Sequence, residues 1–189
     1  MPHRILRIDS SARYNQSKSR ERADILLKHL SREDGDITVT VRDVAKGLPF
    51  VDHKWVSAKG VPEDDLSESQ RETLALSYEL IDEIKRNDTI LITCPIYNYQ
   101  IPASLKAWID LVILPQRTVK MTDDGLVGML NNKRAVILFA SSGTEIGSDI
   151  DFASPYLIHI LNFMGIKDVT ILGGMEDVDA DQLIKAYAA

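Results

Sequence analysis

Apolar positions along the chain alternate between short runs with the period of a strand and longer stretches with the period of a helix. Ile5-Leu6-Arg7-Ile8 reads as a strand, and Ala23, Leu26, Leu27 and Leu30 then share one helical face. Ile37, Val39 and Val41 alternate with Thr38, Thr40 and Arg42, the pattern of a strand with one wet face at a sheet edge. Ser67 and Gln70 have capping-box spacing, and Leu74, Tyr78, Ile81 and Ile84 continue at helical intervals to Asn87. The runs Thr89 to Cys94 and Ala135 to Ala140 are almost continuously apolar, as central parallel strands covered on both faces must be. Between them Pro102 fits the first turn of a helix whose inner face is Ile101, Leu105, Trp108, Ile109 and Val112. Ser154-Pro155 opens another helix, with Leu157, Ile160, Leu161 and Met164 inward and Gly165 at its end. Val169 to Leu172 supplies a fifth strand. Acidic residues from Glu176 to Asp181 precede a last helix around Leu183, Ile184 and Tyr187.

Five strands, each followed by a helix with a right-handed crossover, predict an open α/β sheet wound on both faces and occupying residues 1–189 as one domain. The edge character of the second strand selects the order 2-1-3-4-5. Two connections are long, Val44 to Leu66 and Leu114 to Lys133, and the second carries a turn at Thr122-Asp123-Asp124-Gly125. Loops of that length in a compact domain are often functional.

Composition narrows the chemistry. The chain has 189 residues, 22 basic against 28 acidic side chains, and a formal charge of −6, a poor electrostatic match to nucleic acid or anionic lipid. No apolar run approaches the roughly 18 residues of a membrane span, and Met1 to Asp9 is too short in apolar character for a secretory signal, so a cytoplasmic location is expected. A lone Cys94 forms no internal bridge, and as a small hydrophobe ending a buried strand it fits the core. His3, His29, His53 and His159 lack metal-ligand spacing, so no metal is expected.

In such a sheet, ligands sit beyond the carboxyl ends of the strands where the winding reverses, here between the first and third strands. Three segments meet at that edge. Ser10 to Ser19 leads straight into the first helix, and its hydroxyls with the free N–H groups of the helix start suit a phosphate. It contains no glycine, which sets it apart from the phosphate loop and the dinucleotide fingerprint; the plain alternative is that Ser17 or Ser19 only caps the helix. Pro95 to Tyr99 ends the third strand and offers a turn with tyrosine faces for a flat heteroaromatic ring, the alternative being loop packing. Ser141-Ser142-Gly143-Thr144 is a small-residue turn after the fourth strand.

These three segments, with Ile101 to Asp110 behind the second and Pro155-Tyr156-Leu157 further on, resemble the FMN-dependent NADH-azoreductases, members of the flavodoxin-like quinone reductases. The resemblance runs through nearly the whole chain and is most specific from Pro95 to Asp110. It implies a homodimer with one FMN per subunit at the interface. On that reading Ser11, Ser17, Lys18 and Ser19 surround the ribityl phosphate, Ile96, Tyr97, Asn98 and Tyr99 line the isoalloxazine, and Ser141, Ser142, Gly143 and Thr144 approach its pyrimidine side. It further implies NADH or NADPH as donor, a quinone or azo compound as acceptor, two-electron transfer with ping-pong kinetics, and no side-chain catalyst. Ser142 and Thr144 stand where many relatives carry a basic residue and a second glycine, and Met121 where many carry an aromatic residue. A flavodoxin-type electron carrier or a flavin-free binding module would share this architecture; the long connection from Leu114 to Lys133, suited to covering a small-molecule pocket, favours the enzyme.

Overall fold

The computed structural model describes residues 3–33, 36–174 and 179–188. From the start of the chain come β1 (His3–Asp9), α1 (Lys18–Glu33), β2 (Ile37–Asp43), α2 (His53–Lys59), α3 (Glu68–Arg86) and β3 (Thr89–Pro95). There follow α4 (Ala103–Val112), the short strands β4 (Val119–Thr122) and β5 (Gly125–Gly128), β6 (Arg134–Ala140), α5 (Ser154–Phe163), β7 (Asp168–Gly174) and α6 (Ala180–Ala188).

Strands β2, β1, β3, β6 and β7 form one sheet in that order, every pair parallel. This is the expected order with two extra strands, β4 and β5, inserted in the numbering. Successive residues of the inner strands face opposite layers. Leu6, Ile8, Ile90, Ile92, Ala135 and Ile137 pack with Leu74, Ile81 and Ile84 of α3, Trp108 of α4 and Leu157 of α5. Ile5, Leu91, Val136 and Leu138 pack with Ala23, Leu26 and Leu30 of α1 and Leu183 of α6. The chain thus leaves β1 over one face and re-enters at β3 from the other, which creates the reversal between them.

Local signals hold where they are strong. Ser67 accepts the Gln70 N–H while the Gln70 side chain accepts the Ser67 N–H, so the capping box is complete. Gly165, with φ of 102°, ends the turn after α5. Elsewhere the structure departs from the pattern. The connection 44–66 contains α2, capped by Asp52 at the Trp55 N–H; Trp55 is buried and donates through Nε1 to Ser77 Oγ at 2.9 Å. The connection after α4 folds into an antiparallel β4–β5 hairpin about the expected Thr122–Gly125 turn. Pro102 precedes α4 as its N-cap, one position before the first turn. Val41 is 58% exposed although the alternation pointed it inward, because it pairs in register with Arg7, where the layer turns from apolar to ionic. Glu176 lies outside the described residues, whereas Asp179 does cap α6, accepting the Gln182 N–H at 2.8 Å.

The hairpin is anchored by a glycine contact. A Cβ on Gly128 would lie 2.2 Å from both the Gly165 nitrogen and the Met164 carbonyl carbon, so only backbone fits there. Gly128→Ala must move one backbone off the other, and we expect it to lower unfolding stability in urea by about 1–3 kcal/mol. A change below about 0.5 kcal/mol would show that the contact is not tight.

Candidate functional site

The first loop is built on a buried ionic network at the end of β1. Asp9, 3% exposed, accepts from Arg7 Nε at 2.9 Å and Thr93 Oγ1 at 3.0 Å on one oxygen, and from Arg20 Nη1 at 3.0 Å on the other. Arg20 also bonds Asp43 at 3.0 Å and the Ser11 carbonyl at 2.9 Å, and its guanidinium lies 4.9 Å from the Tyr14 ring. One arginine on α1 therefore joins the ends of β1 and β2 to the loop between β1 and α1. Burial disfavours the charged Arg7 guanidinium, but hydrogen bonds to Asp9 and Asp24 outweigh it and hold its pKa above the ordinary value. Above this network Ser11, Ser17 and Ser19 are buried, with the Ser17 and Ser19 hydroxyls 3.4 Å apart at the start of α1. Gln16 just before them adopts a left-handed backbone with φ of 57°.

The second loop begins where Pro95 ends β3 opposite Ala140 of β6. Ile96 N–H donates to the Ala140 carbonyl at 2.9 Å, and the Tyr97 hydroxyl accepts from the Ala12 N–H at 3.3 Å, tying the second loop to the first. Tyr97 and Gln100 exchange backbone hydrogen bonds of 2.9 and 3.1 Å around Asn98 and Tyr99, with φ of 49° and 67°. Two successive left-handed residues make this a tight hairpin turn in which neither residue is glycine; asparagine tolerates the conformation, and tyrosine is strained by it. The Tyr99 carbonyl accepts from the Phe152 N–H at 3.2 Å, which helps hold the turn.

In the third loop Ser141 Oγ accepts the N–H groups of Gly143 at 3.2 Å and Thr144 at 2.7 Å. The loop is folded onto its own serine, and Thr144 is buried. Behind it Asp151, 5% exposed, accepts from the N–H groups of Gly147 at 2.8 Å and of Ala153 and Ser154 at 3.0 Å, and from the Ser154 hydroxyl. Burial works against this carboxylate, yet those hydrogen bonds prevail and keep it below the usual carboxylate range. Cys94 is fully buried and burial pushes its thiol pKa up, so it presents no reactive thiolate to the edge.

Between the loops lies a cleft of about 240 Å³ lined by Ser11, Arg13, Gln16, Ser17, Lys18, Ser19, Pro95, Ile96, Tyr97, Ala140, Ser141 and Ser142. Eight of the expected site residues form its walls: Ser11, Ser17, Lys18, Ser19, Ile96, Tyr97, Ser141 and Ser142. Asn98 and Tyr99 lie just beyond in the strained turn, and Gly143 and Thr144, whose N–H groups donate to Ser141 Oγ, follow without lining it. Arg13, Gln16, Pro95 and Ala140 complete the walls without having been singled out; their sole signal was membership of, or adjacency to, the three segments. Met121 is 67% exposed on β4 and does not line the cleft. A chain of formal charge −6 has placed two cations and five serine hydroxyls around this space and, among the described residues, no carboxylate. Asp9, the acid beneath it, is neutralised from two sides. Such a donor set fits an anion at one end, and Pro95, Ile96, Tyr97 and Ala140 fit an apolar plane at the other. A larger hollow, about 500 Å³, lies elsewhere between Lys59–Glu63 and Leu114–Arg117 and does not include any of the three loops.

Fold and cleft together define an open, doubly wound α/β protein with an anion-compatible cleft at the strand reversal. The flavodoxin-like fold family matches residues 3–189. The chain is 45% identical over 169 residues to an FMN-dependent NADH:quinone oxidoreductase of Thiobacillus denitrificans, covering 89% of this chain and 82% of that one. It is 41% identical over 187 residues to FMN-dependent NADH:quinone oxidoreductase 1 of Colwellia psychrerythraea, covering 98% and 97% of the two chains. Among solved structures, an FMN-dependent NADH-azoreductase from Bacillus anthracis in complex with FMN superposes with a TM-score of 0.81 at 22% identity, over 98% of this chain and 94% of that one. The chain belongs to the flavodoxin-like family that contains the FMN-dependent NADH:quinone oxidoreductases.

Two expectations follow from the ionic groups. Asp9→Asn leaves Arg7 and Arg20 without their shared carboxylate, and we expect about 2 kcal/mol or more of lost unfolding stability; a loss under about 0.5 kcal/mol would contradict the network's role. Asp151 has a folded pKa below its unfolded value, so its contribution is complete above about pH 4 and disappears as pH falls through the folded pKa. The wild type should therefore lose stability below about pH 4 more steeply than Asp151→Asn; parallel pH profiles would contradict this.

Proposed function

We propose that this chain, acting as one FMN-binding unit over residues 1–189, is an FMN-dependent NAD(P)H oxidoreductase that passes two electrons to quinones and azo compounds. The observation that carries the reading is the cleft itself: one end furnished for a phosphate, the other for a flat ring, with no carboxylate among the described residues of its walls. Named relatives at 41–45% identity over most of both chains supply the flavin, the donor and the quinone.

FMN fits these residues. Ser11, Ser17 and Ser19, the N–H groups opening α1, and Lys18 would hold its phosphate, with the Asp9 network setting the loop's shape and removing the nearby negative charge. Ile96 and Tyr97 would line the ring, Asn98 and Tyr99 would continue that wall through their turn, and Ser141 to Thr144 would border the ring's other edge. When bound, FMN supplies the redox chemistry, accepting hydride from a reduced nicotinamide and delivering two electrons to the acceptor. The chain positions and shields it, and none of its side chains is required as nucleophile or proton donor. Donor and acceptor would enter the one cleft in turn, which would give ping-pong kinetics.

A cleft of about 240 Å³ is smaller than the roughly 300–1,000 Å³ that encloses a drug-sized ligand. Tyr99 and Phe152, 54% and 56% exposed, stand beside it and are joined through backbone. These features support a homodimer in which a second copy completes the wall. Among the described residues no helix is long and apolar enough to cross a membrane, and the cytoplasm is the proposed location.

The purified protein should bind FMN, lose flavin absorbance on adding NADH or NADPH, and regain it on adding a quinone. Failure to bind FMN would end the reading, and binding without reduction by either nucleotide would favour a one-electron carrier. Ser17→Asp sets a carboxylate against the phosphate and should weaken FMN affinity at least about tenfold, roughly 1.4 kcal/mol; unchanged affinity would remove Ser17 from the phosphate site.

A further inference from the structure

Of the arginines around the first loop and the start of the first helix, Arg13 is distinguished by what it lacks. Arg7 and Arg20 are tied to Asp9, Asp24 and Asp43, and Arg22 donates to the Phe139 carbonyl. The Arg13 backbone is fixed, its N–H donating to Ser11 Oγ at 3.3 Å beside the Ala12 to Tyr97 bond. Its guanidinium makes no hydrogen bond, ion pair or ring contact among the described residues. Arg13 lines the cleft but is exposed, while Ser11, Ser17 and Ser19 in the same cleft are buried. The cleft therefore has an inner anion end built of serines and a second cation at its mouth, unclaimed by any carboxylate among the described residues.

We propose that Arg13 recognises the reduced nicotinamide dinucleotide through its phosphate oxygens and thereby governs the donor half of the reaction while leaving the acceptor half alone. The proposal rests on the functional reading above. A dinucleotide polyanion approaching a protein of formal charge −6 meets net repulsion, and a guanidinium at the mouth reverses the local field. Guanidinium also suits phosphate better than ammonium does, because its fork donates two parallel hydrogen bonds. A quinone brings no phosphate and gains nothing from it. On the functional reading the serines, the opening N–H groups of α1 and Lys18 hold the flavin's own phosphate, so the two anions are read by different groups.

Rapid-mixing measurements on the FMN-loaded protein separate the halves. Arg13→Ala should lower the second-order rate constant for reduction by NADH about tenfold or more, leave reoxidation by a neutral quinone within about twofold, and leave FMN affinity within about threefold. Binding of NAD+ to the FMN-loaded protein, measured by calorimetry, should weaken in parallel without any turnover. Raising salt should slow reduction of the wild type and have little effect on Arg13→Ala, and Arg13→Lys should restore the salt dependence with part of the affinity. Equal losses for NADH and NADPH assign the diphosphate as the partner; a loss confined to NADPH assigns its additional phosphate; both support the proposal. Unchanged reduction, equal slowing of both halves, or weakened FMN binding with normal NAD+ binding would overturn it. A wild type that binds no FMN, or whose FMN neither nucleotide reduces, overturns the functional reading and this inference with it.

Discussion

The carboxylate of Asp9 is buried where three strand ends and one loop must be held together, and it can be there only because two arginines and a threonine satisfy it. Isolated, such a charge would be expelled or neutralised. Paired, it acts as a fixed joint. Arg20 carries the connection onward to Asp43 at the end of β2 and to the Ser11 carbonyl, so the position of the serine loop is dictated from beneath. Buried ion pairs contribute little net stability against apolar alternatives, but they specify geometry, and here the geometry specified is that of the site.

The parallel register does the rest. Pro95 pairs with Ala140, and Ala140 with Gly174, so the loops after β3 and β6 leave from one level, immediately beside the end of β1. Three stretches of chain that are far apart in sequence are thereby brought to one rim. Each then turns by its own device: a helix start at Ser17 to Ser19, a left-handed pair at Asn98 and Tyr99, a serine-folded turn at Ser141. The Ala12 to Tyr97 and Ile96 to Ala140 hydrogen bonds then link neighbouring loops, so the rim is held as one surface.

The layers of this fold are legible in the sequence because burial imposes period: the runs at Thr89 and Ala135 and the helical spacing from Leu74 to Ile84 could hardly have been read otherwise. Of the β4–β5 hairpin only the Thr122–Gly125 turn was legible. Its strands have four residues each, too few for alternation to register, and the Gly128 to Gly165 contact that anchors it is purely tertiary. Likewise α2 has only seven residues, and the Trp55 to Ser77 bond that fixes it spans separate elements. Within the site, the serines announced themselves by clustering. Arg7, Asp9 and Arg20 gave no such signal, since a strand or helix pattern cannot show that residues in different elements neutralise one another. Nor could the pattern show that Tyr99 adopts a backbone conformation its side chain disfavours, or that Ser141 Oγ accepts the N–H groups of Gly143 and Thr144.

The account stands on the convergence of three loops upon one ligand. Amide hydrogen exchange with and without FMN reads that convergence directly. Added flavin should slow exchange together in residues 11–19, 95–101 and 141–144, with little change around the separate hollow at 59–63 and 114–117. Protection confined to a single loop, or appearing mainly at that other hollow, would contradict it.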